Sequence, residues 1–224
     1  IVVPAEATRS GWTNLKNSIY EIEKIKVILD SVGINTKILE KNQANEESLK
    51  KLHDKSPDII HFATHAFSAY KHKTYQDKSH ISYTNYDQAM SFEALLLSGA
   101  NNIWLGKQLP PDIEDGILTA EEISNLDLSD TKLVVLSACD TGKGSINMLG
   151  HVIGLQDAFK MAGAKSILMS LWQVPDESTA LLMIKFYEAL FSGHNRHEAL
   201  KIAMKNVREI YPDPYYWGAF VILD

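Results

Sequence analysis

An α/β fold built on one mainly parallel sheet is predicted by three features of this sequence. Short β-rich apolar runs alternate along the chain with stretches of helical period. The run Asp58–Phe62 is apolar on both faces, as a central parallel strand should be, and Leu133–Ser137 is a second buried run. The 224 residues are 45% apolar and 22% charged, enough for a full core. That balance excludes a disordered chain, a collagen-like repeat and a disulfide-stapled miniprotein.

Ile1–Val3, before Pro4, reads as the remnant of a first strand. Leu15, Ile19, Ile22, Ile25 and Leu29 share one helical face, and Gly33 stops that helix. Ile34–Leu39 reads as the second strand. Asn45 caps a short helix carrying Leu49 and Leu52, and Pro57 ends the connection to the third strand. Between Ala66 and Ser91 the composition turns to Lys, His, Tyr, Asn, Asp and Gln without apolar period, which predicts a long surface loop. Leu95–Leu97 is too short to assign by pattern.

Thr119 and Glu122 form a capping box before Ile123. Leu133–Ser137 is the next strand and runs directly into Ala138-Cys139-Asp140-Thr141-Gly142. Val152–Met161 reads as a helix closed by Gly163, and Ser166–Trp172 as a strand. Asp176 caps a helix with Ala180, Met183, Tyr187 and Leu190 on one face, ending at Gly193. Asn195 and Glu198 box a further helix bearing Leu200, Met204, Val207 and Ile210. Pro212 and Pro214 break it before the last strand, Trp217–Leu223. The expectation is a single domain, residues 1–224, without internal repeats or linkers.

Twenty-two Lys and Arg against 28 Asp and Glu give a net charge of −6, which argues against a general nucleic-acid binder. Apolar runs such as Ala219–Leu223 fall far below the ~18 residues that span a bilayer, and no charged-then-apolar leader opens the chain. The chain begins with Ile1 rather than Met, as expected of a piece of a longer protein. Cys139 is the single cysteine, so no internal disulfide or multi-cysteine zinc site is possible. A lone thiol fits a reducing, cytoplasmic setting.

Open parallel sheets react at the carboxyl ends of their strands. Asp58–Phe62 leads through Ala63 and Thr64 to His65, and Leu133–Ser137 leads through Ala138 to Cys139. If the two strands are neighbours, a thiol and an imidazole meet at one edge. A free thiol is only a few per cent thiolate at neutral pH, so a nearby imidazole would activate it. The alternative is a buried cysteine and a surface histidine. His61, inside the doubly buried strand, reads as a hydrogen-bonded core residue.

His61-Phe62-Ala63-Thr64-His65, Asp115-Gly116-Ile117-Leu118-Thr119-Ala120 and Val134-Val135-Leu136-Ser137-Ala138-Cys139-Asp140-Thr141-Gly142 together resemble the CHAT-domain family. The resemblance continues through Ala162-Gly163-Ala164-Lys165-Ser166, Ser170-Leu171-Trp172-Gln173-Val174-Pro175-Asp176 and Tyr216-Trp217-Gly218-Ala219-Phe220, so it covers nearly the whole chain in order. The family comprises caspase-like cysteine peptidases related to separase and often fused to TPR repeats. The resemblance implies a caspase-like α/β fold with a mainly parallel six-stranded sheet. It implies a cysteine endopeptidase acting on a protein substrate, with His65 as base, Cys139 as nucleophile and a thioester intermediate. Backbone N–H groups of Ala66 and Cys139 would hold the oxyanion. No cofactor or metal is implied, and an N-terminal TPR-type regulatory region is the expected neighbour.

The Ser170–Asp176 stretch is similar to one in separase where an aspartate helps form a pocket for a basic residue. That implies Asp176 at the rim of a substrate pocket, with Asp140 as the other acidic candidate; helix capping would also explain Asp176. Ala66 stands where the family usually has glycine, which costs about 1–2 kcal/mol if the position needs positive φ. Leu149-Gly150-His151 replaces a usual Gly-Glu-Gly, removing an acidic group near the active-site loop. The rival reading is therefore a catalytically weak or inactive caspase-fold scaffold that binds partners.

Other motifs fail on their own chemistry. Asp140-Thr141-Gly142-Lys143-Gly144-Ser145 lacks the leading glycine and the hydroxyl after lysine that a phosphate loop needs. His61 and His65 lie on a strand rather than on the helix that a zinc pair needs. His194 and His197 flank a helix start, and the Lys71–His80 stretch reads as a solvated loop.

Overall fold

Short apolar runs make the strands, and longer periodic stretches make the helices. The computed structural model describes residues 2–3, 12, 15–53, 55–68, 93–108, 110, 114–137, 145–146 and 152–224. In chain order the strands are β1 (Val2–Val3), β2 (Leu39–Glu40), β3 (Ile59–Phe62), β4 (Ala66–Ser68), β5 (Glu93–Leu96) and β6 (Ile117–Thr119). They continue as β7 (Leu133–Leu136), β8 (Ser145–Ile146), β9 (Val152–Ile153), β10 (Ile167–Ser170) and β11 (Phe220–Leu223). The helices are α1 (Lys16–Ser31), α2 (Glu46–Lys50), α3 (Ala100–Trp104), α4 (Ala120–Ser124), α5 (Leu155–Met161), α6 (Asp176–Phe191) and α7 (Arg196–Ile210).

The main sheet has six strands in the order β11-β10-β7-β3-β1-β2. Every pair is parallel except β10 with β11, so the expected mainly parallel α/β fold is observed. Side chains alternate across it with period two. Ile60, Phe62, Val134 and Leu136 pack with Ile123 of α4 and Leu155 and Phe159 of α5. Leu133, Val135 and Leu168 pack on the other face with Ile25 of α1, Leu182 and Phe186 of α6, and Val207 of α7. Helices thus cover both faces, as a central parallel sheet requires.

Local signals hold where side chain and backbone close on each other. Asn45 accepts from Ser48 N, and both capping boxes, Thr119 with Glu122 and Asn195 with Glu198, are complete. Several boundaries move for reasons outside the local pattern. The strand expected over Ile34–Leu39 begins only at Leu39, where pairing with β1 starts. The last strand starts at Phe220 rather than Trp217, because Gly218 N donates to Pro214 O at 2.7 Å and holds the preceding residues in a turn. The helix expected over Val152–Met161 begins at Leu155; Gly154 breaks it from β9 and donates its N–H to Asp157 Oδ2 at 3.0 Å. Pro175, not Asp176, occupies the cap position of α6.

Two helical faces also turn. Ile19 is 47% exposed, and the buried stripe of α1 is Ser18, Glu21, Ile22, Ile25 and Leu29. Ile210 is exposed as well, while Ala199, Leu200, Ala203 and Val207 are buried.

A second, antiparallel sheet, β4-β5-β6, hangs from the carboxyl end of β3. β4 occupies the start of the segment expected to be a loop, whose residues 69–91 lie outside those described. The Asp115–Ala120 motif serves this sheet. Gly116 turns at φ +82°, and a Cβ there would stand 2.2 Å from Ala100 N, so only glycine fits. Asp115 Oδ1 accepts from Ile117 N at 2.8 Å to start β6.

Candidate active site

The strands leading to the two candidate catalytic residues are adjacent. β3 and β7 pair in parallel with Ile59 opposite Leu133, His61 opposite Val135 and Phe62 opposite Leu136. Ser137 N donates to Phe62 O at 2.8 Å, which extends the ladder to the carboxyl edge. His65 follows Phe62 by three positions, and Cys139 follows Leu136 by three positions. The strands that lead to both therefore end at one register pair. Residues 138–144, including Cys139 and Asp140, and residues 147–151, including the Leu149-Gly150-His151 departure, lie outside the described residues.

His65 is half-buried in the turn between β3 and β4. Its carbonyl accepts from Leu96 N at 2.9 Å, and the Thr64 hydroxyl donates to Leu96 O. These bonds tie the turn to β5. The His65 imidazole lies against the indole of Trp12, with ring centroids 5.3 Å apart and planes tilted by 44°. Asn101 holds Trp12 from both sides: Trp12 N donates to Asn101 Oδ1 at 3.0 Å, and Asn101 Nδ2 donates to Trp12 O at 3.3 Å.

Ala66 opens β4, paired with Leu95. Among the described residues the only non-glycine at positive φ is Lys41, so Ala66 carries none of the left-handed strain considered above.

Beneath this edge lies a buried polar chain, with His61 as the expected hydrogen-bonded core histidine. His61 Nδ1 is 3.1 Å from the Tyr187 hydroxyl on α6. Its Nε2 faces Glu21 Oε1 on α1 at 2.8 Å, close enough for an ion pair though off the alignment of a regular hydrogen bond. Glu21 Oε2 accepts from Ser137 Oγ at 3.1 Å. His61, Glu21 and Tyr187 are each 1% exposed, and Ser137 is 5% exposed. Burial, and then the Glu21 charge, hold the Tyr187 phenol well above its ordinary pKa. The phenol therefore stays protonated, and in the tautomer where it donates to Nδ1 the His61 Nε2–H faces Glu21.

Neither Glu21, Tyr187 nor Trp12 was legible as a site residue. The one signal for Glu21 is an acidic residue next to Ile22 and four positions before Ile25, on a stripe that must be buried.

Asp176, at the head of α6, accepts at Oδ2 from Asn17 N at 2.8 Å and Asn17 Nδ2 at 3.1 Å. A carboxylate cluster lies elsewhere: ligand oxygens of Glu46, Glu114 and Glu122 fall within 4.8 Å of one another. Lys50 Nζ bonds all three, at 3.3, 2.8 and 3.0 Å respectively. The ammonium thus occupies the place a cation would take.

A family model described as the CHAT domain matches residues 3–223. Tetratricopeptide repeat protein 28 of Homo sapiens is 34% identical over 115 residues, 50% of this chain and 5% of that protein. The same protein of Mus musculus is 33% identical over 115 residues, with the same 50% and 5% coverage. The chain thus spans about 5% of the length of these curated relatives.

The backbone is similar to the crystal structure of the Arg-specific cysteine proteinase gingipain R, with TM-score 0.59 and 12% identity over 99% of this chain and 44% of that one. It is also similar to the complex of Porphyromonas gingivalis RgpB pro- and mature domains, with TM-score 0.56 and 13% identity over 99% and 45%. At such identities the likeness establishes the fold, which is the caspase-like one that the sequence resemblance implied.

Proposed function

We propose that this chain, which belongs to the CHAT domain family, is a cysteine endopeptidase module using His65 and Cys139. One observation carries the reading: the two residues follow, by the same three positions, the Phe62–Leu136 register pair of adjacent parallel strands. Both strands thus end at the same carboxyl edge, and reaction at that edge of open parallel sheets supports the reading.

In the proposed reaction His65 takes the Cys139 thiol proton, and the thiolate attacks the substrate carbonyl carbon. Backbone N–H groups of Ala66 and Cys139 hold the oxyanion. Collapse breaks the C–N bond, His65 protonates the departing amine, and a thioester remains. Water attacks the thioester with His65 accepting its proton. The carboxylic acid leaves, and the proton returns to sulfur. Nothing in the cycle needs a metal or cofactor.

A basic residue before the cut is the proposed preference, through Asp176 or Asp140. The name of the gingipain neighbour is consistent with this, although the likeness at 12% identity concerns the fold. The curated relatives are tetratricopeptide repeat proteins by name, which supports a TPR-type region as the regulatory partner of this single module. Among the described residues no helix is long and apolar enough to cross a membrane. The lone cysteine favours a cytoplasmic setting.

The test is digestion of a peptide library by wild type, Cys139→Ala and His65→Ala, with iodoacetamide alkylation of Cys139 in parallel. Wild type should cut and both variants should fail, and His65→Ala should slow alkylation at neutral pH. Equal alkylation rates and no cutting would leave the scaffold reading instead.

A further inference from the structure

We infer that Glu21, Ser137 and His61 form a positioning device for the proposed peptidase site: Glu21 anchors the carboxyl end of β7, two residues before Cys139, to the strand that leads to His65. The inference rests on the His65–Cys139 reading and goes beyond it, because it assigns a role to three residues outside that pair.

Four elements meet in this chain of contacts. Glu21 comes from α1, His61 from β3, Ser137 from the end of β7 and Tyr187 from α6. A carboxylate buried to 1% exposure needs a reason, since removal from water disfavours its charge. The reason lies in its two oxygens, which face two different donors. Oε1 faces His61 Nε2 at 2.8 Å, and Oε2 accepts from Ser137 Oγ at 3.1 Å. An apolar side chain of similar length, such as methionine, offers a strong acceptor to neither.

Ser137 is therefore held twice, by its backbone N–H on Phe62 O and by its hydroxyl on Glu21. Those bonds fix the point from which the chain departs toward Cys139. His61 in turn is held between Glu21 and Tyr187, four residues before His65. Loosening such a base displaces a nucleophile, and displacement of about 1 Å costs on the order of a hundredfold in rate.

Ser137→Ala removes only the hydroxyl and is the primary test, with Glu21→Met as the second variant. Expected for Ser137→Ala is a fall in kcat of about tenfold to a hundredfold with KM little changed, since the loss is in geometry and not in substrate contacts. Alkylation of Cys139 by iodoacetamide should slow by roughly two- to tenfold, because the thiol loses its fixed approach to the base. Glu21→Met should reproduce both effects, and the double variant should add little, because both break one link. Ser137→Thr, which keeps the hydroxyl, should restore most of the rate.

Because Cys139 is the only cysteine, mass-spectrometric alkylation reads this site even in the absence of hydrolysis. An alkylation rate in folded Ser137→Ala equal to wild type overturns the inference. So does an unchanged kcat, or a fall in KM-dependent binding alone. Failure of the peptidase reading has a different signature: wild type does not cut, and His65→Ala leaves alkylation unchanged.

Discussion

Asp176 closes the N-terminus of α1 from the head of α6: its Oδ2 accepts both the backbone N–H and the side-chain amide of Asn17, 159 residues away in sequence. Neither Leu15, at the cap position of α1, nor any acidic residue in its first turn does this locally. Asp176→Ala should therefore destabilise the fold by about 1–2 kcal/mol, as loss of a cap does. That corresponds to a Tm lower by roughly 2–8 °C at this chain length. Asp176→Asn keeps an acceptor oxygen and should retain most of the Tm. If the carboxylate also lines the proposed pocket, Asp176→Asn will selectively lose cleavage after Arg or Lys. Wild type without a basic preference would end the pocket role whatever the melting curves show.

Trp12 and Asn101 form the other long-range support of the edge. The indole restrains the His65 ring, and aromatic contacts of this kind are worth about 0.5–1.5 kcal/mol. Trp12→Ala should slow His65-dependent alkylation of Cys139 by roughly two- to tenfold. Asn101→Ala should act in the same direction, since it frees the backbone that seats the indole. An effect of Trp12→Ala on stability alone, with alkylation unchanged, would reduce the contact to packing.

Ala66→Gly restores the residue that the family usually carries. Because Ala66 sits in β4 without positive φ, the change relieves no strain. It should leave turnover unchanged and lower stability by about 0.5–1 kcal/mol, the cost of glycine within a strand. Peptide hydrolysis and thermal melting measure the two effects. A clear gain in activity would show that the alanine does impair the oxyanion site.

Glu46 makes stability depend on pH. Burial, followed by the neighbouring Glu122 charge, raises its pKa from 4.5 to about 7. The folded state thus binds the proton more tightly than the unfolded chain does. This group's stabilising contribution is full below pH 4.5 and is lost as pH rises through about 7. Glu46→Gln is neutral throughout and keeps an acceptor for Gly116 N, which donates to Glu46 Oε1 at 2.6 Å. The Tm of Glu46→Gln relative to wild type should rise by about 2–6 °C between about pH 5 and about pH 8. Parallel melting curves at the two pH values would refute the assignment.

Features legible in the sequence are those whose cause lies within a few residues. Asn45, Thr119 with Glu122, and Asn195 with Glu198 close their own helices, and the apolar runs at β3, β7 and β10 could only be buried strands. β6 escaped because it has only three residues, and β5 because Glu93 and Ala94 fill half of its four positions, so neither shows an apolar run like those of β3 and β7. The motif around His65 was legible as resemblance, and the neighbouring of β3 and β7 then gave it geometry.

The tertiary structure alone decided which face of α1 is buried. An apolar stripe leaves a helix free to roll by a residue position, and Ile19 and Glu21 compete for that place. Glu21 takes it because its carboxylate meets His61 and Ser137, which lie 40 and 116 positions further along the chain. Local pattern holds no record of such partners. A lone buried charge is costly and a partnered one is tolerated, so the partners settled the orientation once the sheet had brought them together.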